Sequence, residues 1–126
     1  MQPKRWSIAR LQRPCRVALG IALPLVFVLS LLPDQPGPQF SHGDKLLHAL
    51  AFCMFALLAR GGWPERAAAR WLWMLLGYGA AIELAQSLLP WRQASLLDWL
   101  ADAAGIALGA ALFAWQARAR RAVAPV

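Results

Sequence analysis

Apolar residues in this chain gather into four runs that hold no Lys or Arg and almost no acid, at roughly 17–33, 46–59, 71–90 and 96–117. A helix needs about 20 residues, within a tolerated range of about 17 to 25, to cross a hydrocarbon core of about 30 Å. The third and fourth runs meet that length outright. The first meets it when Cys15 and Arg16 are counted. The second does so only if Asp44, Lys45 and Arg60 lie at the two interfaces with their charged ends in water. The pattern predicts an all-α fold, an integral membrane bundle of four transmembrane helices forming one domain over residues 1–126, with spans at about 15–33, 44–60, 70–90 and 96–117. The first run, with its basic residues ahead of it, also has the form of a cleaved leader. Because Pro33-Asp34-Gln35-Pro36 follows Leu32 where a small-x-small site would stand, it is expected to remain as a helix. The Pro-rich segment 33–40 reads as turn chemistry, and from Ala117 onward the chain is expected to be a frayed basic anchor.

Composition agrees with a membrane setting, at 60% hydrophobic and 15% charged residues. The net charge of +7 gains its meaning from where the charges fall. With a cytoplasmic N-terminus, Lys4, Arg5, Arg10, Arg13, Arg16, Arg60, Arg66, Arg70, Arg118, Arg120 and Arg121 share the inner side, and only Lys45 and Arg92 of the 13 basic residues lie outside. That bias sets both termini on the cytoplasmic side of the membrane. Basic residues that flank spans form no nucleic-acid stripe, so anionic inner-leaflet lipid is their expected partner and nucleic acid is not. Trp91 and Trp99 suit an outer aromatic belt, and Trp63, Trp71, Trp73 and Trp115 an inner one. Cys15 and Cys53 have no CxxC spacing and no His at metal-ligand offsets, so neither a metal nor a cofactor is expected.

The acids gather on the outer half, where carboxylates inside apolar runs are costly. At about 100° per residue, Asp98, Asp102, Gly105 and Gly109 fall within about 60° of one another on the fourth helix. Gly105-x-x-x-Gly109 lets a neighbouring helix approach closely, so the two acids on the same stripe should face that neighbour. Glu83 and Gln86 share a face of the third helix, with Gly79 one turn below, and helix rise puts Glu83 and Asp102 at a similar depth, about 10 Å below the outer surface. On the second helix Asp44 and His48 are one turn apart, beside Lys45. Thus Asp44, Lys45, His48, Glu83, Gln86, Arg92, Ser95, Asp98 and Asp102 are expected to converge on one outward-facing pocket. Each has a plainer role when taken singly. His48 can be a packing residue, Lys45 can snorkel, Arg92 can be a loop cation, Gln86 can join helices, and Ser95 can cap the fourth helix with Asp98 in its first turn. Four acids against two fixed cations and a histidine leave an excess of negative charge, which a retained proton, a protonated His48 or a bound cation would relieve.

These residues carry a resemblance. Asp44-Lys45-x-x-His48, Glu83-x-x-Gln86, Arg92-x-x-Ser95-x-x-Asp98 and then Gly105 and Gly109 are similar to the motifs of the VanZ-like membrane proteins, over about residues 40 to 113. The family commonly has Asn where this chain has Asp102, and often Tyr where it has Phe52. The resemblance implies a bacterial envelope setting and an association with teicoplanin resistance, without a settled reaction.

Three functions fit. In the first, a pocket with no catalytic role binds an envelope precursor or lipid-linked headgroup through Arg92 and Lys45, oriented by the acids and His48. In the second, an intramembrane enzyme acts on a lipid phosphate, with His48 as general acid or base oriented by Asp44. No nucleophile elbow, HExxH or Gly-rich phosphate loop supports it. In the third, Glu83 and Asp102 carry protons in a transporter, which with four spans would need a second copy of the chain or another partner. The first is preferred.

Overall fold

The structure, a computed structural model, describes residues 6–33 and 43–123, with side chains described over 10–33 and 43–122. Each apolar run becomes a helix: α1 is Trp6–Leu31, α2 Gly43–Gly62, α3 Ala68–Ser87 and α4 Leu96–Val123. No strand occurs among the described residues. Two ends run past expectation. α1 begins at Trp6, upstream of the expected start near residue 15, and accommodates Pro14 and Pro24. α4 does not fray at Ala117 but continues to Val123, because the Ala- and Arg-rich sequence there favours helix and Arg120 and Arg121 complement the helix C-terminus.

Three of the four helices are long and apolar enough to cross a membrane: α1 over Arg10–Leu31, α2 over Gly43–Gly62 and α4 over Leu96–Ala122. α2 qualifies by running through Asp44, Lys45 and Arg60 at its ends, as expected of it. α3 departs from expectation. It has the same 20 residues, but Arg70, Tyr78, Glu83 and Gln86 dilute its apolar run, so length and composition alone do not make it a span.

α2 is the hub, touching α1, α3 and α4, while α1 and α4 do not touch among the described residues. Its Phe52, Phe55, Ala56 and Ala59 meet Leu19 of α1, Leu75 and Ile82 of α3 and Ile106 of α4 in one core. Phe52 and Phe55 stack edge to face at 5.3 Å, and Tyr78 lies 5.9 Å from each. The α2–α4 crossing is set by the glycine stripe. A Cβ at Gly105 would collide with the Ala49 carbonyl oxygen, and one at Gly109 would lie 2.6 Å from the Cys53 carbonyl oxygen and 2.8 Å from the Ala56 methyl. Only glycine lets these backbones meet, which places the Asp98–Asp102 face of α4 against α2.

Outward, every helix presents large apolar side chains, among them Val17, Ile21, Leu25, Leu47, Leu50, Leu84, Leu97 and Leu108. At the end where α2 stops, arginines do the joining. Arg16 donates from Nε to the Gly62 carbonyl at 2.7 Å and lies over the Trp63 ring at 5.0 Å. Arg60 donates to the Arg66 carbonyl at 2.6 Å and stacks on Phe113 at 5.1 Å. Arg16 thereby satisfies a carbonyl that the end of α2 leaves without a helical partner, and Arg60 one in the loop before α3.

A polar cavity at the opposite end

At the other end the helices splay around a cavity of about 720 Å³. Val26, Leu29 and Ser30 of α1, Leu47, Ala51 and Phe52 of α2 and Ile82 of α3 line it, together with most of the polar residues that the sequence singles out. Asp44, Lys45, His48, Gln86, Arg92, Ser95 and Asp98 all reach the cavity, while Glu83 and Asp102 lie deeper and are buried.

The polar groups are organised by the start of α4. Ser95 caps that helix, its Oγ accepting from the Asp98 N–H at 3.3 Å. The Ser95 N–H in turn donates to Glu83 Oε2 at 2.7 Å, so a carboxylate from α3 holds the same helix end. One turn beyond Asp98 on α4, Asp102 is fully buried at 0% exposure. It has room because Gly79 on α3 lacks a Cβ, and one there would come 2.5 Å from Asp102 Oδ2. His48 Nδ1 and Asp102 Oδ1 are 2.8 Å apart.

That pairing corrects the expected role of Asp44. One turn toward the mouth on the same helix, Asp44 is exposed, and the group orienting His48 is Asp102 from across the α2–α4 contact. The glycine stripe explains the exchange, since it brings α4 close enough to deliver a carboxylate to the imidazole. Glu83 and Asp102, though similar in depth, do not contact each other by any hydrogen bond. Glu83 groups with His48 and Asp98 instead.

The rim is tied to the last turn of α1. Gln86 Nε2 donates to the Ser30 carbonyl at 2.9 Å, Trp91 Nε1 to the Leu31 carbonyl at 3.1 Å, and Arg92 Nε to the Leu32 carbonyl at 2.9 Å. The predicted helix-joining role of Gln86 is thus realised, and Arg92 gains a structural duty that its sequence context did not signal. Lys45 places Nζ 3.4 Å from Asp98 Oδ1, an ion pair without hydrogen-bond geometry.

Satisfaction is incomplete where burial is greatest. Glu83 Oε1, Asp98 Oδ1 and Asp102 Oδ2 are buried without a hydrogen-bond donor. Three carboxylates therefore meet in the bundle near Lys45, Arg92 and one imidazole, each with a buried oxygen that lacks a hydrogen-bond donor, a costly arrangement in a bundle interior.

Fold and site together define an all-helical protein with three helices able to cross a membrane and a polar cavity at one end of the bundle. No family model, curated protein or solved structure matches the chain.

Proposed function

We propose that this chain is a small VanZ-like protein of the bacterial inner membrane whose extracytoplasmic cavity binds an anionic lipid or envelope headgroup. α3 serves as the fourth span in this reading. Support comes from its outward Leu72, Trp73, Met74 and Leu84, while Glu83 and Gln86 are turned inward. With four spans the termini and the arginine-rich end face the cytoplasm in this reading, which the excess of basic residues there supports.

The carrying observation is the make-up of the cavity: Lys45 and Arg92 stand in its lining together with Asp44 and Asp98, beside an apolar wall of Val26, Leu29, Leu47 and Ile82. Cations next to an apolar wall suit a phosphate or carboxylate with a hydrocarbon chain behind it. Membrane lipid is the first source of such a ligand and a lipid-linked envelope precursor the second. A second copy of the chain is a candidate partner, and a change in teicoplanin susceptibility is a candidate consequence.

Native mass spectrometry of the chain released from bacterial-lipid nanodiscs tests the reading. The wild-type chain should retain anionic lipid, and the Lys45→Ala/Arg92→Ala double variant should lose most of it. Equal retention by both would overturn the assignment. Envelope lipid profiles and teicoplanin susceptibility of cells with the wild-type chain, with none, or with Arg92→Ala then report the consequence.

A second reading draws on the His48–Asp102 pair, since a carboxylate-oriented imidazole is the equipment of a general acid or base acting on a lipid phosphate. Turnover of labelled lipid phosphates by the purified chain, abolished in His48→Ala, would favour it. No turnover across the panel removes it.

A further inference from the structure

We infer that His48, Glu83 and Asp98 form a binding site for a divalent transition-metal cation at the floor of the cavity. One ring nitrogen of His48 and one carboxylate oxygen each from Glu83 and Asp98 lie within 4.8 Å of one another. A metal bound at about 2.0–2.2 Å from each donor holds its ligand atoms roughly 3–4 Å apart, so small side-chain rotations close the set. The three donors come from α2, α3 and α4, which is why residue spacing along the chain signals no metal.

Two further observations point to a ligand here. Glu83 is only 8% exposed, and while its Oε2 accepts from the Ser95 N–H, its buried Oε1 has no donor at all. A buried, unpartnered carboxylate oxygen in a donor cluster is what a cation would satisfy. The second observation is the His48–Asp102 contact of 2.8 Å. With Nδ1–H donating to a buried carboxylate, Nε2 carries the lone pair available to a metal, and the ring is held in place. Carboxylate–histidine–metal relays have this form. Charge agrees: Asp44, Glu83, Asp98 and Asp102 stand against Lys45 and Arg92 at this end of the bundle, and a divalent cation balances the two negative charges left over.

One imidazole and two carboxylates suit zinc or manganese better than calcium or magnesium, which favour all-oxygen shells, and zinc is the tighter binder of the two. Three protein donors leave coordination positions for water or an entering ligand, as in sites where ligands exchange. His48 and Asp98 line the cavity, so those positions open into it. The inference rests on the side chains and not on the headgroup reading.

The test uses the full chain without an affinity tag, purified in detergent, stripped with chelator and reloaded with Zn²⁺ or Co²⁺. One zinc per chain above a protein-free micelle blank, a zinc-dependent rise in melting temperature, and visible ligand-field bands of a nitrogen–oxygen site with Co²⁺ are expected. His48→Ala, Glu83→Gln and Asp98→Asn should each weaken zinc binding at least tenfold. Asp102→Asn should weaken it about 10- to 100-fold through the orientation of His48. Glu65→Gln, an exposed carboxylate at the arginine-rich end, should leave it unchanged. Should a variant lose helicity, the stoichiometry and Co²⁺ spectrum of the wild-type chain decide alone. Absence of zinc above the blank, or stoichiometric zinc in the His48→Ala/Glu83→Gln double variant, would overturn the site. Retained anionic lipid in a chain that takes no zinc would do so while leaving the headgroup reading intact.

Discussion

The two ends of the bundle differ in the acids that they bury. Where α2 ends, charged side chains stay partly in water and spend their donors on backbone carbonyls: Arg16 on Gly62, and Arg60 on Arg66. Where α4 begins, carboxylates are buried, and Glu83, Asp98 and Asp102 each keep an oxygen without a donor. The first pattern stabilises helix ends and loops. The second leaves costly groups in low-dielectric surroundings, which is how sites that bind or react are built. A protein of this size could fill that space with leucine. It carries three acids there, so the difference between the ends lies in those carboxylates and not in the bonds to backbone carbonyls, which Gln86, Trp91 and Arg92 also make at the acidic end.

The crossing that supports the acidic end should give the largest effect. Valine at Gly105 would drive its side chain into the Ala49 backbone, which cannot rotate away. Gly105→Val should lose stability at the upper end of the about 1–3 kcal/mol that overpacking costs, read by thermal unfolding in detergent. Gly77→Ala, with nothing within 4 Å of its added methyl inside α3, should hold stability or gain up to about 1 kcal/mol. Equal melting temperatures for the two variants would mean that the α2–α4 contact is looser than described.

Next comes the arginine end. Arg16→Ala removes the hydrogen bond to Gly62 and the stacking on Trp63, and should cost about 1–2 kcal/mol. Because the loss is structural, bound lipid and zinc should be unaffected once the protein is folded. A variant that keeps its stability but loses ligand would put function at both ends and erase the contrast.

Much of this was legible in the residues. The four apolar runs became four helices, and the Asp98–Asp102–Gly105–Gly109 stripe does face a neighbour, because helical periodicity fixes which side chains share a face whatever the tertiary structure. Periodicity cannot say which helix that neighbour is. Along the chain, Asp44 one turn away is the natural partner for His48, whereas the close α2–α4 approach supplies Asp102. Nor could it foresee that Gln86, Trp91 and Arg92 would all reach the carbonyls ending α1, since those contacts join segments far apart in sequence. Three of the four expected spans are long and apolar enough, and α3 falls short for a related reason. Hydropathy averages around a helix, and α3 keeps Glu83 and Gln86 on a buried face while offering leucines outward.

The finest comparison sets two isosteric charge removals side by side in the chelator-stripped chain. Asp102→Asn keeps an oxygen to accept from His48 Nδ1 and removes a charge from a side chain with 0% exposure, whose Oδ2 has no donor. Burying a neutral amide costs less than burying a carboxylate, so this variant should gain up to about 1 kcal/mol. Glu65→Gln weakens only the 3.9 Å contact with Arg16, between side chains 42% and 59% exposed. Surface pairs of that kind contribute about 0–1 kcal/mol, and here the change should fall within about 0.5 kcal/mol. Thermal unfolding of both variants in one detergent gives the two shifts directly. A gain at Asp102 with no change at Glu65 means the buried acid is kept against the interest of stability, for what it does to His48. A loss of 2 kcal/mol or more at Asp102 would instead make the carboxylate part of the frame, and the two ends of the bundle would then differ in depth rather than in purpose.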